Sequence, residues 1–290
     1  MTLFHLLTEG TQTLELSGNP DAQNDARQLL LEAFHLDMVH FLLNRMQPLP
    51  DSDAARSAID LYWAMIGRRR RREPLQHILG CQEFMGLEFY VNPQVLIPRQ
   101  DTETLVEQVL AEQKDGASLL DLCTGSGCIA ISLAVKGRFS SVTATDISGD
   151  ALEVARRNAA ALLDTSVIFC QGDLFQAIPS DPSGNHPRYD IITANPPYIP
   201  TGVIHTLQPE VRDHEPILAL DGSSDGVYYY RRIAQEAKHY LTDQGALYLE
   251  IGHDQGISVS AILQDQGYQN IRVIKDLPGN DRVVCAEWQE

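Results

Sequence analysis

"LLDLCTGSGCIA", residues 119–130, joins an apolar strand pattern to a glycine-punctuated turn and then to the start of a helix. The pattern predicts a strand over Ser118–Leu122 and a helix over Cys128–Val135, with Gly125 and Gly127 between them. Glycine there allows a tight turn and lets a ligand approach the backbone. Asp146 ends the next predicted strand, Ser141–Asp146, 19 residues beyond Gly127. A carboxylate at that place accepts hydrogen bonds from both hydroxyls of a ribose. Together these features describe a ligand that carries a nucleoside. The spacing Gly125-x-Gly127-x-x-Ala130 by itself also fits a dinucleotide fingerprint, or a strand–helix turn that holds nothing.

Outward from this turn, strands and helices alternate. Further strands are predicted at Val167–Gln171, Asp190–Ala194, Ala246–Glu250, Asn270–Lys275 and Arg282–Trp288. Further helices are predicted at Thr102–Gln113, Gly149–Leu163, Val227–Leu241 and Gly256–Gln266. Such alternation implies an α/β fold, a mostly parallel sheet with helices on both faces. Its ligands sit at the carboxyl ends of the strands, near the switch in strand order. The last two strands follow one another without a helix and predict an antiparallel edge hairpin. "EFMGLEFYVNPQVLIP" (83–98) reads as a hairpin that links this region to what precedes it. Residues 1–75 read as a small helical bundle. Asn19 is the expected cap of one helix, with Ala22, Ala26, Leu29, Leu30 and Ala33 on one face. Ser52 opens another, with Ala55, Ala58, Tyr62 and Met65 on one side.

The bulk composition narrows the classes. The chain has 290 residues, 43% hydrophobic and 21% charged, as in ordinary globular proteins. No apolar run approaches the ~20 residues of a membrane span, and no signal peptide is read at the start, so a cytoplasmic protein is expected. Five cysteines without a C-x-x-C pair read as reduced thiols, and nine histidines without an H-x-x-x-H pair argue against a catalytic metal. The net charge of −17 opposes general nucleic-acid binding, for which a basic face is the usual sign.

"DIITANPPYIP" (190–200) ends the fourth predicted strand at the same sheet edge as the glycine turn. Asn195 and Pro196 each precede a proline, so both are confined, and the segment is a rigid turn. The Asn195 side-chain oxygen and the Pro196 carbonyl then point at one spot as acceptors, which suits a planar –NH2 group, and Tyr198 can stack on that group. An amide or aryl amine nitrogen is a poor nucleophile because its lone pair is delocalised. Two acceptors that fix its N–H bonds orient the lone pair and stabilise positive charge as it develops. The electrophile must carry a nucleoside and need no metal, and the sulfonium methyl of S-adenosylmethionine meets both conditions. The bland alternative is an Asn-Pro-Pro strand stop. A further turn, "GDLF" (172–175), places Asp173 and Leu174 where an adenine would lie, although Asp173 also suits a helix cap.

With these motifs the chain resembles the HemK/PrmC family, the N5-glutamine methyltransferases of peptide chain release factors. The resemblance runs over nearly the whole length, through "REPLQHILG" (72–80), "IPRQDTE" (97–103), "NPPYIP" (195–200), "HEPILALDG" (214–222), "EIG" (250–252) and "KDLPGNDRVV" (275–284). It implies a class I S-adenosylmethionine-dependent methyltransferase fold at 99–290, a β-hairpin linker at 76–98 and a helical substrate-recognition domain at 1–75. The implied substrate is the glutamine of the Gly-Gly-Gln loop of class I release factors. Carried over, Thr124, Gly125, Ser126 and Gly127 hold the methionine part of the cofactor, Asp146 its ribose, and Leu174 lies by the adenine. Cys123, Asp173 and Asn195 complete that set, while Asn195, Pro196, Pro197 and Tyr198 hold the glutamine amide. Cys123 stands where the family usually has glycine, and an ordinary φ is expected there. Leu174 replaces an aromatic residue of some members, which implies a weaker adenine contact.

Other features carry expectations of their own. The 24 residues 201–224 lack periodicity and suggest a lid or clamp, within which Glu210, Glu215 and Asp221 are candidates to meet a basic partner. Arg68–Arg72 read as helix C-terminal charge or as a contact with an acidic partner. Arg99 is expected to pair with Glu103. Competing functions are glutamine methylation of a ribosomal protein, amino-methylation of adenine after base flipping, and a cofactor-binding scaffold without catalysis.

Overall fold

A computed structural model describes residues 1–164, 166–180 and 183–290. The chain forms two compact units, Met1–Gly80 with Gln208–His214, and Cys81–Leu207 with Glu215–Glu290.

The first unit is helical: α1 (Leu3–Glu15), α2 (Ala22–Phe34), α3 (Met38–Asn44), α4 (Asp53–Arg70) and α5 (Leu75–Leu79). Thr2, Asp37 and Ser52 cap α1, α3 and α4 by accepting from the backbone N–H three residues on. The predicted stripe of α2 is buried in full and packs with Leu6, Leu14, Tyr62 and Ile66. Asn19 is not the cap of α2. Its side chain bonds the Leu14 carbonyl (3.2 Å) and Ser17 Oγ (2.8 Å), so it closes α1 instead. The arginine run is also less solvated than its composition suggests. Arg69 is buried and donates to Asp25 (2.6 Å) and Glu210 (2.9 Å). Arg72 grips both Glu210 oxygens (2.6 and 2.7 Å), and Arg68 pairs with Glu73.

The second unit opens with the expected hairpin, β1 (Cys81–Phe84) and β2 (Leu87–Tyr90). Met85 and Gly86, both at positive φ, form its two-residue turn. The main sheet holds β3 (Ser118–Leu122), β4 (Ser141–Asp146), β5 (Ile168–Gln171), β6 (Tyr189–Ala194), β7 (Leu241–Glu250), β8 (Gln269–Lys275) and β9 (Asp281–Glu287). Their order is β5-β4-β3-β6-β7-β9-β8, with β9 antiparallel to both neighbours and the rest parallel. α6 (Glu103–Glu112), α7 (Cys128–Lys136), α8 (Gly149–Leu162), α9 (Tyr228–Ala237) and α10 (Gly256–Asp265) cover the faces. Strand residues alternate between two cores. Leu120, Leu122, Ile192, Leu247 and Leu249 join α9 and α10, while Leu119, Ile191, Tyr248 and Val283 join α6 and α7.

Two boundaries differ from the sequence reading by more than one residue. α9 stops at Ala237, and β7 starts five residues before Ala246. The Tyr240 carbonyl already accepts from Tyr189 N (2.7 Å), and the β6–β7 register shifts between Tyr189 and Ile191. Among the described residues, no helix is long and apolar enough to cross a membrane.

Buried Asn158 on α8 fastens the hairpin to the glycine turn. Its Oδ1 accepts from Tyr90 N (2.8 Å), and its Nδ2 donates to the carbonyls of Tyr90 (3.0 Å) and Ser126 (2.9 Å). Asn158→Ala removes the partner of three backbone groups, of which the Ser126 carbonyl is buried, and should lower stability by about 2 kcal/mol. An unchanged denaturant midpoint would refute this role.

Candidate active site

The strand order switches beside β3, whose neighbours are β4 and β6, so the loops leaving β3 and β6 diverge and leave a crevice. A cavity of about 260 Å³ lies there. Its lining includes Cys123, Thr124, Gly125, Ser126, Asp146, Asp173, Leu174, Asn195 and Pro197. Gly127, Pro196 and Tyr198 do not line it. Gly127 caps α7 at φ +82°, and a Cβ there would come within 2.8 Å of Ile131 Cδ1. Pro196 is buried. The Tyr198 ring packs against the core of α9 and α10, and burial pushes its hydroxyl up to about 12.

Cys123 has φ +56°, not the ordinary φ expected of a non-glycine residue. The backbone on either side of the turn explains this. Thr124 N donates to the Thr145 carbonyl (2.9 Å) and Gly127 N to the Thr124 carbonyl (2.8 Å), which ties the turn to β4. A left-handed L-residue costs roughly 1–2 kcal/mol, and such strain persists where the surroundings enforce it. Burial also holds the Cys123 thiol well above the usual thiol range, so it is a poor nucleophile.

Three carboxylates organise the turn. Asp146 Oδ2 accepts from Gly125 N (2.8 Å) and Oδ1 from Ser148 N (2.9 Å), which fixes the carboxylate at the cavity wall. Burial raises its pKa. Asp121, fully buried, accepts from Thr124 Oγ1 (2.6 Å) and Thr193 Oγ1 (2.7 Å), and burial pushes its carboxyl up to about 7. Asp173 makes no side-chain cap. Arg232 of α9 holds it with a two-pronged pair (3.0 and 2.9 Å), and Leu174 next to it is at φ +51°.

Asn195 follows β6, and the chain beyond it is tightly fixed. Gln255 Nε2 donates to the Tyr198 carbonyl (3.1 Å). Ile199 pairs with Leu220 and Gly222. A Cβ at Gly222 would fall 2.7 Å from Tyr198 backbone carbon, so only glycine fits. Arg99 pairs with buried Glu215 (2.5 and 2.7 Å) rather than with Glu103, which accepts from Met85 N. Asp221 accepts from Thr201 Oγ1 (2.6 Å) and Ser223 N (2.9 Å). The acids of 201–224 therefore meet this chain's own donors.

Lining residues that the motif reading did not single out include Thr102, Pro216, Leu218 and Tyr229. Their segments, "IPRQDTE", "HEPILALDG" and "DGVYYYRRI", were the available signal. The lining suits S-adenosylmethionine. Apolar Val95, Ile129 and Leu174 offer surface for a base, Asp146 offers acceptors for hydroxyls, and buried Thr145 Oγ1 has no partner among the described residues.

The chain is 39% identical over 285 residues to the release factor glutamine methyltransferase of Agrobacterium fabrum, covering 96% of this chain and 94% of that one. The chain belongs to the release factor glutamine methyltransferase family. The enzyme of that name from Clostridium botulinum is 36% identical, with 99% of each chain covered. Residues 5–80 match the PrmC N-terminal domain and residues 113–271 a methyltransferase domain. A solved methyltransferase from Pyrococcus furiosus, 18% identical, shares the fold with TM-score 0.53 over 77% of this chain and 99% of that one. The chain is thus an S-adenosylmethionine-dependent methyltransferase with the class I fold.

Two outcomes follow from the turn. Cys123→Gly removes the left-handed penalty and should raise stability by about 1 kcal/mol, with Cys123→Val moving the melting temperature the other way. Asp121, raised to about 7 from an ordinary 3.8, holds its proton more tightly when folded. Between those values folding takes up a proton, so its contribution to stability declines as pH rises through that window. Asp121→Asn does not titrate, so its stability relative to wild type should increase with pH there. A constant difference in denaturant midpoints would show that Asp121 is not the titrating group.

Proposed function

We propose that this enzyme transfers a methyl group from S-adenosylmethionine to the side-chain amide nitrogen of the glutamine in the Gly-Gly-Gln loop of class I peptide chain release factors. The observation that carries the reading is Asn195, held at the wall of the cofactor cavity where β6 ends beside the glycine turn.

The cofactor supplies an electrophilic methyl on a sulfonium centre. Cys123, Thr124, Gly125 and Ser126 would cradle its methionine part, with Gly127 shaping the turn beneath them, Asp146 would take its ribose hydroxyls, and Asp173 and Leu174 the adenine end. Asn195 Oδ1 and the Pro196 carbonyl accept the two N–H bonds of the substrate amide. Pro196 and Pro197 keep those acceptors in place because their own φ angles are locked. The amide nitrogen is thereby held with its lone pair toward the methyl, and the acceptors stabilise positive charge as the new bond forms. Its proton becomes acidic only after transfer, so no strong base is needed beforehand.

The helical residues 1–75 serve substrate recognition, 76–98 act as the linker and 99–290 as the methyltransferase domain, in a cytoplasmic enzyme without direct nucleic-acid contact. The net charge of −17 supports a protein substrate over a phosphate backbone.

Labelled S-adenosylmethionine with two release factors, one native and one with the loop glutamine changed to asparagine, tests the reading. Label should enter the native factor alone. No label on either factor, with cofactor bound, would overturn it. Asn195→Ala should lower kcat by about a hundredfold or more.

A further inference from the structure

β6 and β7 pair in parallel with Ala194 opposite Leu249, so the next residues, Asn195 just past β6 and Glu250 at the end of β7, lie side by side. Glu250 is 2% exposed and belongs to none of the motif roles assigned above. Its main chain is fixed, because Tyr230 Oη donates to its carbonyl (2.8 Å) and it stands opposite Val283 of β9. A buried carboxylate costs several kcal/mol unless its partners compensate. The side chains of Thr102 and Asn195 are the polar groups that lie against it and favour its charged form. Its Oε2 has no partner among the described residues.

The charged and titratable groups that face it come from five other segments: Arg282 at the start of β9, Asp101 before α6, the Tyr198 hydroxyl after β6, the Tyr230 hydroxyl of α9 and the Cys128 thiol at the start of α7. Arg282 is already engaged by Asp276 (3.0 Å) and Asp101 (3.1 Å). Nothing in this set neutralises Glu250 directly.

An asparagine amide has one donor edge and one acceptor edge, and the partner decides which faces where. A carboxylate accepts only. An Asn195 amide that bonds Glu250 therefore does so through its NH2, which leaves Oδ1 for the cavity. We propose that Glu250 is a positioning residue for methyl transfer: its carboxylate holds the Asn195 NH2 and so presents Asn195 Oδ1 to the substrate amide. The charge-assisted bond also polarises the Asn195 amide, so Oδ1 becomes a stronger acceptor as positive charge grows on the reacting nitrogen. This rests on the role given to Asn195 above.

Glu250→Gln keeps the shape but offers both a donor and an acceptor, so it no longer dictates the Asn195 orientation. Its kcat for methylation of a release factor should fall by about tenfold to a hundredfold, with the cofactor dissociation constant unchanged. In protein carrying 15N-asparagine, the Asn195 NH2 signals should shift with a midpoint near the Glu250 pKa of about 7, and the shift should vanish in E250Q. Wild-type kcat in E250Q, or Asn195 signals that stay constant through neutrality in the wild type, would overturn the proposal. If E250Q does not fold, the wild-type signals decide alone. They need no substrate, so a failure to methylate release factors removes the substrate reading without touching this test.

Discussion

The site depends on the in-register pairing of β3 with β6. Leu122 stands opposite Ala194, so the next residues, Cys123 and Asn195, emerge together at one sheet edge. Period-2 alternation sends Leu120, Leu122, Ile192 and Ala194 into one core. A slip of one residue would turn each of them to the other face, but both faces of these strands are buried, so the apolar pattern alone does not fix the register. Asp121 adds a polar pin, because it bonds the hydroxyls of Thr124 in the turn and Thr193 on β6. The glycine turn and the Asn-Pro-Pro turn are thus placed by the same strand pair.

The acids around this edge differ from ordinary surface carboxylates. Burial raises Asp121, Asp146, Glu215 and Glu250 alike. Each is instead held by specific donors: backbone N–H groups for Asp146, threonine hydroxyls for Asp121, and Arg99 for Glu215. Of these four, Asp146 lines the cavity, beside Asp173, and acidic groups on the wall suit a ligand with positive charge. The sulfonium of S-adenosylmethionine is such a ligand.

What was legible in the sequence was local. The strand–glycine–helix signal, Asp146 at its set distance, and the proline-locked Asn195 each sit within one element or one turn. What was not legible joins distant residues. Asp173 meets Arg232 across 59 positions, and Glu210 meets Arg72 across 138. Asn19 has the residue type of an N-cap, but the Leu14 carbonyl is nearer to hand, so it ends α1. Cys123 shows the same limit for dihedral angles. Its residue type predicts φ below zero, and tertiary tethers at Thr124 and Gly127 override that preference.

The arginine run makes the point about charge. Five consecutive arginines in an acidic chain suggest an external acidic partner, yet the acids that Arg68, Arg69 and Arg72 meet belong to this chain. Arg69 is buried with Asp25 and also takes Glu210, so removing either acid leaves a buried cation less than fully compensated, the costly case for an ion pair. Arg72 holds both Glu210 oxygens in a fork that lysine has no means to reproduce. Even against the pull of burial, these two arginines keep Glu210 below the usual carboxylate range. Residues 208–214 are therefore fixed within the helical unit by Glu210, a carboxylate that stays ionised at neutral pH, ten residues after Pro200. Glu215, the first residue back in the other unit, is anchored by Arg99. Glu210 and Glu215 are thus each held by arginine within their own unit, and such pairing between residues distant in sequence leaves no periodicity to read.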